Sequence, residues 1–106
     1  MCGVFGISGV SDINLQLYDA LTMLQHRGQD AAGMITEHEG QFYQCKSEGL
    51  VRDVFDRRQM VRLVGRLGIG HVRYPTAGCD DVIESQPFYT ANPISISLAH
   101  NGTLIN

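Results

Sequence analysis

From Gly3 to Ser8 the run GVFGIS combines β-branched and aromatic residues with glycines, which predicts a short buried strand that other backbone approaches closely. A cysteine, Cys2, stands directly ahead of it. Leu17, Ala20, Leu21 and Leu24 then recur at the spacing of one helical face and predict a helix from about Leu15 to His26. The preceding SDIN offers N-cap residues, and Gly28 is able to end the helix in a left-handed conformation. After the loop RGQD, the segments AAGMITEH and QFYQCKS flank Glu39-Gly40, the pattern of a strand, tight turn and strand.

Further along, VRDVFDRRQMVRL places Val51, Val54 and Phe55, then Val61 and Val64, so as to form one or two short helical turns. LGIGHVRY reads as another strand, ended at Pro75 by the missing N–H. TAGCDD reads as loop, and ESQPFY fits neither pattern. ISISLAHNG alternates as a last strand running into a turn at Asn101-Gly102. The chain then stops without a closing helix or polar tail. With few elements to cover both faces of a sheet, it reads as a piece of a longer protein.

The 106 residues, 43% hydrophobic and 18% charged, suit one soluble globular domain. A formal net charge of -3 with scattered Lys and Arg supplies no basic patch, which argues against nucleic acid as a partner. No apolar run approaches membrane-spanning length and no secretory signal opens the chain, so no membrane role is expected and the cytoplasm is the expected compartment. Three cysteines, Cys2, Cys45 and Cys79, lie far apart and form no C-x-x-C, so neither a disulfide framework nor a zinc site is indicated, and no metal or cofactor is expected in this chain.

Cys2 reads in two ways. It is either a small apolar residue tucked under the first strand or, once Met1 is removed, a nucleophile carrying its own base. In the second case one residue bears a thiol and a free α-amino group, whose pKa of about 8 makes it a usable base at neutral pH. Such a nucleophile needs no imidazole partner but does need an oxyanion hole. The Asn101 side-chain amide and the Gly102 backbone N–H are candidates, although Asn-Gly is also an ordinary turn signal. Arg73, at the end of a strand and close to Thr76, is a candidate two-pronged clamp for a carboxylate or simply a solvated arginine.

MCGVFGISG, LQHRGQDAAG, GHVRYPTAG and LAHNG together closely resemble the glutaminase domain of class II glutamine amidotransferases, the N-terminal nucleophile hydrolase type. Nearly the whole chain takes part. Within that family, HRGQDAAG and HVRYPTAG are similar to the branch whose acceptor is phosphoribosyl pyrophosphate, whereas glucosamine phosphate synthases typically carry Trp where Tyr74 stands and Ser near Ala32.

The resemblance implies an α+β fold, the N-terminal part of a four-layer α/β/β/α sandwich, with residues 1–106 an incomplete glutaminase domain and the phosphoribosyltransferase domain absent. It implies that Cys2 attacks the glutamine side-chain amide, that Asn101 and Gly102 form the oxyanion hole, and that Arg73 with Thr76 holds the glutamine α-carboxylate. Arg27 and Asp30 of HRGQD support the nucleophile, while His26, His71 and His100 are supporting residues, and Cys45 and Cys79 correspond to no family nucleophile. Glutamine would yield glutamate and ammonia, and the ammonia would convert phosphoribosyl pyrophosphate to 5-phosphoribosylamine, the first committed step of de novo purine synthesis. Magnesium and phosphoribosyl pyrophosphate would bind in the absent domain.

The family aspartate that holds the glutamine α-amino group lies downstream of HNG, so the chain alone is expected to be inactive. Its partial set of strands leaves edges and an apolar face open, which predicts a homo-oligomer. The alternatives are an inert folding or association piece, and the glutaminase part of another class II amidotransferase.

Overall fold

The computed structural model describes residues 3–25, 29–74, 85–91 and 94–99. Its centre is a four-stranded antiparallel sheet built from β1 (Gly3–Ser8), β2 (Ala31–His38), β3 (Gln41–Glu48) and β4 (Leu67–Arg73) in the order β1-β4-β2-β3. The strand β1 therefore pairs with a segment far along the chain, Gly3 opposite Val72 and Ser8 opposite Leu67. The predicted hairpin is present. Its turn residues Glu39 and Gly40 have φ of 49° and 83°, the pair of positive values that matches the twist of the strands they join.

The helix α1 (Asn14–Leu24) packs on one face of this sheet through Leu17 and Leu21, both fully buried. Gly68 and Gly70 of β4 face it, and the absence of side chains there lets the helix sit close to the sheet. Burying each leucine contributes about 1.5–3 kcal/mol. The same core takes in Met34, Val51, Phe55, Leu63 and Val72.

Both predicted ends of the helix shift. At the start, SDIN supplies no side-chain cap: Ile13 occupies the cap position, and the Asp12 carboxylate instead accepts the Gly65 N–H at 2.9 Å. The helix stops at Leu24 and does not reach His26, because Gln25 leaves helical geometry with φ -72° and ψ 127°. Its side-chain oxygen accepts the Val51 N–H at 2.8 Å. Gly28 and Pro75 lie outside the described residues, as does the Asn101-Gly102 turn.

Two short helices follow the hairpin, α2 (Val51–Val54) and α3 (Arg57–Arg62), the latter capped by Asp56, whose Oδ1 accepts the Gln59 N–H at 3.0 Å. Val51, Val54 and Phe55 enter the core as their pattern predicts, but Val61 points outward and Leu63 fills the interior instead.

The second strand pair, β5 (Phe88–Thr90) and β6 (Ile96–Leu98), is antiparallel and shorter than the ISISLAHNG run. Residues leading into β5 lie across β2 and β3 on the face away from α1. The Gln86 carbonyl sits against Gly33, Lys46 Nζ donates to the Pro87 carbonyl at 3.0 Å, and the Phe42 and Tyr89 rings stand 5.3 Å apart. Covered on both faces, β2 is buried from Ala31 to Thr36 without alternation. Helices, central sheet and second strand pair form three stacked layers of an α+β fold. No helix among the described residues is long and apolar enough to cross a membrane.

Candidate active site

The antiparallel order brings the start of β1, the end of β4, the start of β2 and the end of β3 to one end of the sheet. Gly3, which follows Cys2 in the chain, pairs with Val72, which precedes Arg73. Ala31, which follows Asp30, pairs with Arg73 on the other side of β4. The structure thus brings together Arg73 and Asp30, and the Asp30 N–H donates to the Arg73 carbonyl at 2.9 Å. Cys2, Arg27, Thr76, Asn101 and Gly102, the other predicted site residues, lie outside the described residues, as do His26, His100 and Cys79.

Arg73 is 7% exposed, so it is not a solvated surface arginine. A cation this deeply buried is retained where anionic or polar groups answer it, and its planar fork suits a carboxylate. His71, two residues earlier on the same face of β4, is buried as well. Asp30 Oδ1 is buried and has no hydrogen-bond partner among the described residues.

Sequence reasoning missed two glutamines at this end of the sheet. Gln29 is buried, and its Nε2 donates to the Ala31 carbonyl at 2.8 Å and to the Gly49 carbonyl at 2.6 Å. Gln25, on the other side of the His26–Gly28 segment, reaches the same corner through Val51. Their signal was present in LQHRGQD only as two polar residues beside a loop. Tyr74 OH donates to the Leu24 carbonyl at 2.8 Å, which ties the residue after Arg73 to the end of α1.

Cys45 offers a different environment. Its half-buried thiol donates to the Val54 carbonyl at 3.6 Å, and burial pushes its pKa up, with Asp56 adding to the rise and Arg62 opposing it. A thiol held neutral in this way is a poor nucleophile. Burial also pushes the Lys46 ammonium pKa down, and its head lies 5.3 Å from the centre of the Phe88 ring. Among the described residues no group of three or more His, Cys, Asp or Glu converges as metal ligands do.

The fold matches the N-terminal part of a glutamine amidotransferase domain of the N-terminal nucleophile hydrolase class. In sequence and in fold the chain is similar to the N-terminal fifth of amidophosphoribosyltransferases. The amidophosphoribosyltransferase of Pseudomonas aeruginosa is 61% identical over all of this chain and 21% of its own length, and that of Escherichia coli is 58% identical over the same shares. The yeast enzyme of Saccharomyces cerevisiae is 48% identical over the whole chain and 22% of itself.

Among solved structures, the glutamine phosphoribosylpyrophosphate amidotransferase from B. subtilis, complexed with ADP and GMP, superposes with a TM-score of 0.77 at 36% identity. The match covers 95% of this chain and 22% of that one. A structure described as the allosteric regulatory enzyme of purine biosynthesis gives a TM-score of 0.80 at 34% identity, covering 92% of this chain and 21% of that one. The chain spans about a fifth of the length of the curated relatives it matches. No family model matches it.

Proposed function

We propose that this chain is the N-terminal part of the glutaminase domain of an amidophosphoribosyltransferase, and that the reaction belongs to the full-length gene product. The relatives' names supply the substrates, glutamine and phosphoribosyl pyrophosphate. The single observation that carries the reading is the buried Arg73 at the end of β4, held by Asp30 and one residue beyond the Val72 that pairs with Gly3.

In this reading Met1 is removed and the Cys2 thiol attacks the side-chain carbonyl carbon of glutamine. The thiol proton passes to the Cys2 α-amino group, and the carbonyl oxygen becomes an oxyanion that accepts hydrogen bonds from the Asn101 side chain and the Gly102 N–H. The α-ammonium returns the proton to the departing nitrogen, ammonia leaves, and a thioester remains. Water adds to the thioester, releasing glutamate and restoring the thiol. Arg73 with Thr76 holds the α-carboxylate throughout, and Arg27 and Asp30 order the loop beside the nucleophile. The released ammonia displaces pyrophosphate from phosphoribosyl pyrophosphate to give 5-phosphoribosylamine, opening purine synthesis.

The same proposal includes a cytoplasmic, oligomeric enzyme. Exposed Ile94, Ile96 and Leu98 on and beside β6 support association, and sedimentation of the purified protein tests it.

The decisive test replaces the sulfur. In the full-length gene product, Cys2→Ser is expected to abolish glutamine-dependent activity, while a diazo ketone analogue of glutamine labels Cys2 alone in the unsubstituted protein. Labelling at Cys45 or Cys79, or activity that survives the substitution, would overturn the proposal. An inert association piece would show neither labelling nor loss of Met1 by mass.

A further inference from the structure

The proposed carboxylate clamp, Arg73, is fixed at its backbone by a short relay of hydrogen bonds that leads away from the site to Gln29. The Arg73 carbonyl accepts from the Asp30 N–H at 2.9 Å, and the Asp30 carbonyl accepts from the Gly49 N–H at 2.9 Å. The Gly49 carbonyl in turn accepts from Gln29 Nε2 at 2.6 Å, while the same nitrogen reaches the Ala31 carbonyl. Gln29 and Asp30 are adjacent, so the two contacts with Gly49 close a ring. Its other corner, Gly49, has φ of 126°, a backbone state that side chains other than glycine rarely adopt.

The ring stands where the regular ladder ends. β2 and β3 pair as far as Ala31 and Glu48, and beyond them Asp30 is held by its N–H bond to the Arg73 carbonyl and by the Gly49 N–H. The Gln29 side chain adds a bond to the Gly49 carbonyl at this end of the pair. It is 7% exposed, and loss of its donor removes the side-chain bonds to the Gly49 and Ala31 carbonyls. The corner would relax, and with it the Asp30 N–H that fixes the last residue of β4.

We infer that Gln29 is a positioning residue for Arg73, acting through Gly49 and the Asp30 backbone; the inference rests on the glutaminase reading above. A displaced α-carboxylate clamp weakens ground state and transition state alike, so the loss falls on KM and leaves kcat nearly untouched.

The test is a double-substitution cycle on glutamine hydrolysis by the full-length gene product. Gln29→Met keeps the length and removes the donor. It is expected to raise KM for glutamine about tenfold with kcat changed less than about twofold. In an Arg73→Gln background the same change is expected to move KM by less than about twofold, because the group it positions is already gone. An equal KM effect in both backgrounds, or none in the native one, would overturn the inference. Failure of the glutaminase reading is separately visible as activity that survives Cys2→Ser.

Should Gln29→Met not fold, amide exchange in the unsubstituted protein decides. After reaction with the diazo ketone analogue, exchange at Asp30 and Gly49 is expected to slow by about fivefold or more relative to Ile35 in mid-strand. Unchanged exchange at both would also overturn the inference.

Discussion

Gly33 in β2 and Gln86, which leads into the second strand pair, approach so closely that a Cβ on the glycine would stand 1.7 Å from the Gln86 carbonyl oxygen. Lys46, opposite Gly33 in β3, donates to the neighbouring Pro87 carbonyl, so one small patch joins the two sheet layers. Gly33→Ala is expected to force the layers apart and to lower stability by about 2 kcal/mol or more, read from the urea midpoint. An unchanged midpoint would show that the patch does not hold the layers.

A second contact of this kind lies on the other face. A Cβ at Gly70 would stand 2.9 Å from a terminal carbon of Leu21, so Gly70→Ala crowds the helix from below. Because the neighbour is a side-chain end, the cost is expected to be about 1–2 kcal/mol, and Leu21→Val is expected to recover part of it. Thermal unfolding of the two single variants and the double variant checks this. Strict additivity of the two changes would contradict the packing described here.

Arg73→Gln removes the proposed clamp while keeping a polar side chain. A charge-assisted pair with a carboxylate is worth about 1.5–3 kcal/mol, so KM for glutamine is expected to rise roughly 10- to 100-fold. Steady-state assay of the full-length gene product is the measurement, and kcat is expected to stay within about threefold of the native value.

Cys45 provides a pH-dependent probe of the core. Burial raises its pKa above the ordinary 9.0, so above that pH the unfolded chain releases the proton while the folded chain retains it. Stability is therefore fully supported below pH 9.0 and declines as the pH rises through the folded value, and Cys45→Ala should remove that part of the decline. At pH 8, alkylation of Cys45 by iodoacetamide is expected to be about tenfold or more slower in native protein than in urea.

Local pattern revealed the elements whose causes are themselves local. The Glu39-Gly40 hairpin was legible because a turn needing positive φ sat between two runs of strand-forming residues, and α1 because its leucines keep one face. Asp12 misled because its carboxylate is used by Gly65, far along the chain, and not by the helix beside it. Gln25 likewise ends α1 early through a bond to Val51 that no neighbouring residue announces. The ESQPFY stretch gave no pattern because its place is set by Gly33 and Lys46 across the fold. Arg73 was legible as a candidate, but its burial was not, since that depends on strands brought to it from both sides.

The pairing of β1 with β4 bears on how the protein is made. Gly3 finds Val72 only after the intervening chain has emerged, a loop of about 70 residues to be closed. At the usual pace of translation this leaves the amino end without its sheet partner for on the order of five to ten seconds. The proposed trimming of the first residue, on which the proposed nucleophile depends, would thus have its opportunity before the strand is zipped into place.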